Sequence, residues 1–347
     1  MEIFVGLDVS LASTSVCAIG ANGKTVNEAK VPSDPGSLAG HMRGLSGNIV
    51  AVGLEAGPQS QWLHKGLCEA GFETVLMETK RVKSALKSAP VKTDRRDAEG
   101  IAQLLRMGWF QPVHCKSVAS QEKRALLTSR SALVEGLMRL ELSARGILRN
   151  FGLKLGRVSK GRWEERVREL TADNAMLADV VEPILRLRAQ MRDELAMMTK
   201  KVRNLAQSDA TCRLLMTMPG VGPVIALTFV TAVDDPSRFR RARDIGAWAG
   251  LTPRRSQSGE PDVSGEITRA GDTALRTALF QAATTMLHNG KRMSWLKAWA
   301  LRVAGRRGQK RATTALARRM DVVLLRTWLD GTEFRFAREA AMSPDPA

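Results

Sequence analysis

The sequence predicts an α/β layer built on a mixed sheet, followed by an all-α remainder that ends in a mostly helical, strongly basic region. Three observations carry this. Three adjacent β-type runs and two more, each preceded by a helical stretch, fill the first third; strand signals vanish after about residue 117; and two long helical seams then lead into a pair of apolar helices joined by a glycine-rich turn.

In order, residues 3–9 and 14–20 are β-type runs, and Asn22-Gly23 supplies a turn before a third run at 25–31, so the first three strands form an antiparallel meander. A helical stretch near 36–46 precedes a buried-type strand at 48–54 that ends at Glu55. An amphipathic helix around 59–70, with Trp62, Leu63 and Leu67 on its apolar side, stops at Gly71 and leads to a strand at 73–78. Strands joined through helices must run parallel, so the sheet is mixed. From 117 to 207, Leu126, Leu133, Leu137, Leu140, Ala144, Ile147 and Phe151 recur at helical spacing, as do Leu177, Val181, Ile184, Met191, Leu195, Met198, Val202 and Leu205. Seams of that length predict a coiled-coil arm, although two helices of an ordinary bundle have the same period. A polar connector at 152–163 separates them. Met218-Pro219-Gly220-Val221-Gly222-Pro223 lies between two apolar helices in the manner of a helix-hairpin-helix, whose backbone N–H groups near Gly220 and Gly222 can hold a phosphate. The expected divisions are 1–115, 116–207 and 208–347.

Composition narrows the function. The 347 residues carry 53 Lys and Arg against 35 Asp and Glu, a net charge of +18, which asks for a polyanionic partner. Tyrosine is absent, so no tyrosine nucleophile is available, and four scattered cysteines give neither a C-x-x-C pair nor a disulfide framework. No basic segment leading into an apolar one opens the chain, and no 18-residue apolar run occurs, so a cytoplasmic, nucleoid-associated protein without a membrane is expected. Residues 291–319 hold ten Lys and Arg and no acid; Arg306, Arg307, Lys310 and Arg311 fall there as candidate phosphate contacts.

Two groups of residues could carry chemistry. Asp8 lies in the first strand, Glu55 closes the fourth, and Asp94 and Asp97, three apart, share one face of a helix that begins in Lys92-Thr93-Asp94-Arg95-Arg96-Asp97. Four carboxylates meeting at a sheet edge repel one another unless hard cations lie between them, and one or two Mg2+ ions would suit that donor set. This is the equipment of an RNase H-like nuclease domain. Lys92, Arg95 and Arg96 flank the last pair and could draw in a phosphodiester. The second group is Arg254-Arg255-Ser256-Gln257-Ser258-Gly259 with Arg269 beyond it, a hydroxyl-bearing loop amid cations that could attack or merely touch a phosphate.

Gly6-Leu7-Asp8-Val9-Ser10, Gly53-Leu54-Glu55-Ala56 and Lys92 to Ala98, together with Pro219 to Pro223, Ala249 to Arg254, Ser258-Gly259 and Gly271-Asp272 through Arg276, resemble the DEDD-type insertion-sequence transposases over essentially the whole chain. The resemblance implies an RNase H/RuvC-like domain, a coiled-coil arm and a C-terminal transposase domain. It also implies a dimer or dimer of dimers that recombines donor and target DNA under the guidance of a structured bridge RNA. By motif, Asp8, Glu55, Asp94 and Asp97 would bind metal and Ser258, rather than Ser256, would attach covalently to DNA. Where the family often has Ile-Ser-Lys-x-Gly-Asp this chain has Ile267-Thr268-Arg269-Ala270-Gly271-Asp272. The competing expectations are a metal-dependent nuclease or junction resolvase acting by hydrolysis, and a scaffold that only binds nucleic acid.

Overall fold

The computed structural model describes residues 1–87, 93–257, 262–289 and 292–337. It divides into two units, Met1–Lys116 and Ser117–Ala347.

In the first unit, strands β1 (Glu2–Val9), β2 (Ser13–Gly20) and β3 (Thr25–Pro32) are followed by helix α1 (Pro35–Arg43), β4 (Asn48–Glu55), α2 (Ser60–Glu69), β5 (Thr74–Met77), α3 (Thr79–Leu86) and α4 (Asp94–Arg106). The sheet order is β3-β2-β1-β4-β5. The first three strands pair antiparallel, because the turn at 21–24 is too short for anything else, while β4 and β5 lie parallel to β1 after their helical crossovers. This is the mixed sheet of an RNase H/RuvC-like fold. Alternation divides its two faces: Ile3, Val5 and Leu7 are buried with Leu38 and Met42 of α1 and Leu63 and Leu67 of α2. On the opposite face lie Cys17 and Ile19 with Ala98 and Ala102 of α4. Trp62, expected on the apolar side of α2, is 52% exposed.

The second unit opens with two long helices packed on one another, α5 (Val118–Asn150) and α7 (Ala175–Ser208). Between them stands a short helix, α6 (Trp163–Thr171), starting where the sequence suggested the connector ends. Its Trp163 and Val167 close a cluster with Ala144, Leu148, Leu177, Val181 and Leu185. The rest is α8 (Ala210–Leu215), α9 (Pro223–Val233), α10 (Asp244–Trp248), a hairpin of β6 (Pro253–Gln257) and β7 (Asp262–Ile267), then α11 (Thr273–His288), α12 (Trp295–Arg307) and α13 (Gln309–Asp330). Helix α9, buried from Ala226 to Val233, is part of the core that also takes in Leu279 and Met286 of α11 and Leu316 and Leu324 of α13. The hairpin replaces the loop expected there. Every β6 position is exposed, so neither face carries the apolar alternation that marks a strand in sequence. No helix of the described residues is long and apolar enough to cross a membrane.

Candidate active site

Asp8 and Glu55 stand at the C-terminal ends of adjacent parallel strands, since Leu7 is in register with Leu54. Two residues earlier on the same faces, Gly6 pairs with Gly53. These glycines form the seat of α4. A Cβ on Gly6 would collide with the Ala98 carbonyl oxygen and lie 2.5 Å from the Ala102 nitrogen, and one on Gly53 would lie 3.3 Å from Ile101. The α4 backbone therefore crosses β1 directly, and its first turn, carrying Asp94 and Asp97, comes to the strand ends.

That first turn has its own local logic. The Thr93 hydroxyl caps α4 by accepting from the Arg96 N–H at 3.3 Å, and the two aspartates add negative charge at the positive end of the helix dipole. Asp8, Glu55, Asp94 and Asp97 all line one pocket of about 900 Å³. The structure thus gathers the four acids that the sequence singled out. Lys83 and Lys87 also line it, and the Lys83 ammonium lies 4.0 Å from Glu55.

Ser10, Gln59, Ser60 and Thr79 complete the polar lining and were not singled out from the sequence. The Thr79 hydroxyl donates to the Ala56 carbonyl at 2.9 Å, pinning the start of α3 beside Glu55. Thr79 follows the end of a strand directly, and that position was the available signal. The donor set is oxygen-rich and, among the described lining residues, free of thiol and imidazole, which fits a hard divalent cation. The acids are distributed around the pocket: among the described residues no three His, Cys, Asp or Glu side chains converge as a formed metal site. Cys17, buried beneath α4, is a packing group; burial pushes its thiol up to about 11.

Of the flanking cations, Arg95 turns to Glu28 in an ion pair, Arg96 is exposed at the start of α4, and Lys92 lies outside the described residues. In the second unit Ser258 and Gly259 also lie outside them, between β6 and β7. Ser256 is exposed on β6 in register with Val263. The Arg255 guanidinium forks onto Asp262 at 2.6 and 2.7 Å across the hairpin, which raises its pKa and lowers that of the carboxyl. Arg269 reaches Glu266 at 2.8 Å, and Arg254 the Thr268 carbonyl at 3.5 Å.

Below the hairpin the chain is tightly held. A Cβ on Gly250, whose φ is +72°, would run into the Ala270 backbone, and one on Gly271 into the Trp248 carbonyl. Arg276 donates to the carbonyls of Ala270, Gly271 and Ala249 at 2.6, 3.1 and 3.2 Å. Gly220 has a packing role as well: with φ +88° it lets the turn lie against α11, where a Cβ would meet the Ala282 carbonyl. Gly222 begins α9 without a side-chain cap. Arg306, Arg307, Lys310 and Arg311 are all exposed around the turn that joins α12 to α13.

An RNase H-like sheet with acids at its strand ends, followed by a helical unit with a serine- and arginine-bearing hairpin, defines the class of DEDD insertion-sequence transposases. The sequence model of a DEDD transposase of IS110 type matches residues 5–152, a span containing all four acids, and that of the IS116/IS110/IS902 family transposase matches residues 212–297. The transposase for insertion sequence element IS1111A of Coxiella burnetii is 30% identical over 328 residues, covering 90% of this chain and 86% of its own. The chain belongs to the IS116/IS110/IS902 transposase family. A pilin gene-inverting protein of Moraxella bovis is 38% identical over 71 residues, 20% of this chain and 22% of its own. Among solved structures, T. thermophilus RuvC in complex with a Holliday junction substrate matches 33% of this chain and 100% of its own at 16% identity, with a TM-score of 0.24, too low to add to the topology.

Proposed function

We propose that this transposase cuts and rejoins donor and target DNA through a covalent phosphoserine intermediate on Ser258, with a structured bridge RNA choosing the sites by base pairing. The observation that carries the reading is the single pocket lined by Asp8, Glu55, Asp94 and Asp97. These four residues would hold one or two Mg2+ ions. When bound, such ions supply charge neutralisation for a phosphodiester and for the oxygens that enter and leave it.

The chain's own residues do the rest. The Ser258 oxygen forms a bond to phosphorus as the bond to a sugar oxygen breaks, and that oxygen leaves with the serine proton. Because one phosphodiester replaces another, the step can be reversed onto a new DNA end. Rejoining of that kind is favoured by the similarity to a gene-inverting protein, since inversion requires ends to be reconnected. Arg254, Arg255 and Arg269 would contact the phosphate near the serine, Lys92, Arg95 and Arg96 the one near the acids. Gly220 and Gly222 with the exposed cations of the α12–α13 turn would hold backbone elsewhere. Base pairing by RNA leaves the protein only shape and phosphates to recognise, which suits a chain with net charge +18. Met176, Val180 and Leu187, exposed and helically spaced on α7, support assembly of the arm into a dimer or dimer of dimers.

The test combines labelled donor and target DNA, RNA transcribed from the non-coding end of the element, and Mg2+, resolved on a denaturing gel with and without protease. A protein-linked band that disappears in Ser258→Ala and in Asp8→Asn is expected. Free cut ends without an adduct, still formed by Ser258→Ala, would make the protein a hydrolytic nuclease and overturn the proposal.

A further inference from the structure

The second unit contains another pocket, of about 780 Å³, between α5 and α7, and neither the acids nor the hairpin has any part in it. Arg130, Lys160, Arg188, Arg192, Lys200 and Arg203 line it, against one carboxylate, Glu141, among the described lining residues. On α7 the cations at 188, 192, 200 and 203 recur at helical spacing and so form a row along one face. At 1.5 Å per residue the stretch from Arg192 to Arg203, beyond the buried Arg188, is about 16 Å long. A duplex DNA strand lays down roughly five phosphates over such a distance.

Not all of this charge is on offer. Arg188 is 1% exposed, stacked on Trp163 at 4.4 Å and paired with Glu141 at 2.7 Å and Glu164 at 2.5 Å, so it holds the arm together. Arg130 donates to the Thr199 hydroxyl at 3.0 Å, tying α5 to α7, and Arg192 donates to the Lys160 carbonyl at 2.8 Å and lies 3.7 Å from Glu164. Lys160, Lys200 and Arg203 are exposed and have no carboxylate partner among the described residues. Leu137 and Leu195 form an apolar floor, and no aromatic side chain is among the described lining residues. A groove without aromatic rings lacks the stacking platforms on which unpaired bases are usually held, so the charge it offers suits a phosphate backbone whose bases are already paired.

We propose that this groove holds the phosphate backbone of double-stranded DNA. The choice of DNA over RNA rests on the transposase reading; the phosphate groove itself does not. Binding is therefore measured without divalent cation, where no strand is cut and a failure of the active-site reading cannot enter.

The experiment titrates the full chain against a labelled 40-base-pair DNA duplex between 50 and 400 mM salt, comparing wild type with a Lys200→Gln/Arg203→Gln double variant. Affinity should fall, and the slope of log affinity against log salt should flatten by about 1.8, two lost phosphate contacts at about 0.9 each. Melting temperature serves as the control for folding, and Lys160→Gln, outside both long helices, should flatten the slope by about 0.9 on its own. A photoreactive p-benzoylphenylalanine at Asn204, which lines the same groove, should crosslink to the duplex. Unchanged slopes in both variants would overturn the proposal. So would crosslinks to a second copy of the chain, or stronger binding and crosslinking of an RNA duplex of equal length.

Discussion

In the first unit the candidate acids are part of the packed framework: Asp8 and Glu55 end buried strands, and Asp94 and Asp97 sit on a helix whose backbone rests on Gly6 and whose Ile101 and Leu105 side chains pack over Gly53. In the second unit the β6–β7 hairpin stands almost wholly in solvent, and only its base is clamped, by Gly250, Gly271 and Arg276. Both units use glycine to let one backbone touch another, the first beneath the helix that carries two of the acids and the second at the base of an exposed hairpin. The difference follows from the chemistry each would serve. Carboxylates that would share a cation must be held at set separations against their mutual repulsion, whereas a basic hairpin that would meet a phosphate needs only its base anchored.

The largest expected effect tests the rigid side of that contrast. On the proposed function, Asp8→Asn or Asp97→Asn should lower strand cutting by more than about 10³-fold, since each would remove charge that holds a cation at the transition state. For Asp8→Asn the melting temperature should hold or rise, because removing one of four neighbouring carboxylates relieves repulsion, while Asp97→Asn also gives up a favourable charge at the start of α4 and should fall slightly. Loss of cutting accompanied by a collapse in stability would mean the acids serve the fold and not the reaction.

Next in size is the seat of α4. Gly6→Ala places a methyl against the Ala98 carbonyl and the Ala102 nitrogen, and neither backbone group can swing away as the end of a side chain would. A loss of about 1–3 kcal/mol in denaturant unfolding is expected, together with impaired cutting as Asp94 and Asp97 are pushed from the strand ends. An alanine accepted without loss would show that the α4 contact does not position the acids.

Much of this was legible in the sequence because burial on one face writes a period. Ile3-Phe4-Val5-Gly6-Leu7 is a short apolar run closed by Asp8, which gave β1 and the acid's place near its end. Asp94 and Asp97 were legible as a pair because three residues bring them to one helix face. The hairpin was not, since Arg254, Arg255 and Ser256 are all exposed and nothing distinguishes their two faces. Helix α6 was missed because a short run such as Trp163-Glu164-Glu165-Arg166-Val167, next to a glycine-containing connector, has two apolar anchors and little more. The α5–α7 groove is a property of two helices placed side by side: Arg130 and Arg203 are 73 positions apart, and no local spacing joins them.

The smallest effect concerns a carboxylate in the opposite situation from those of the pocket. Asp321 on α13 is fully buried, and among the described residues neither of its oxygens has a hydrogen-bond partner. Burial alone raises its pKa well above the usual carboxylate range, so the folded chain holds it as the neutral acid. A proton bound more tightly by the folded than by the unfolded chain stabilises fully below the unfolded pKa, and that stabilisation is lost as pH rises through the folded value. Asp321→Asn keeps the shape and cannot ionise. The melting temperatures of wild type and variant should therefore lie close together below the ordinary carboxylate range and draw apart as pH rises from there towards the folded value, with the variant the more stable. A gap that is constant with pH would mean Asp321 stays ionised in the core; a carboxylate would then be tolerated there on the same terms as in the pocket, and the contrast between the two units would fail at this residue.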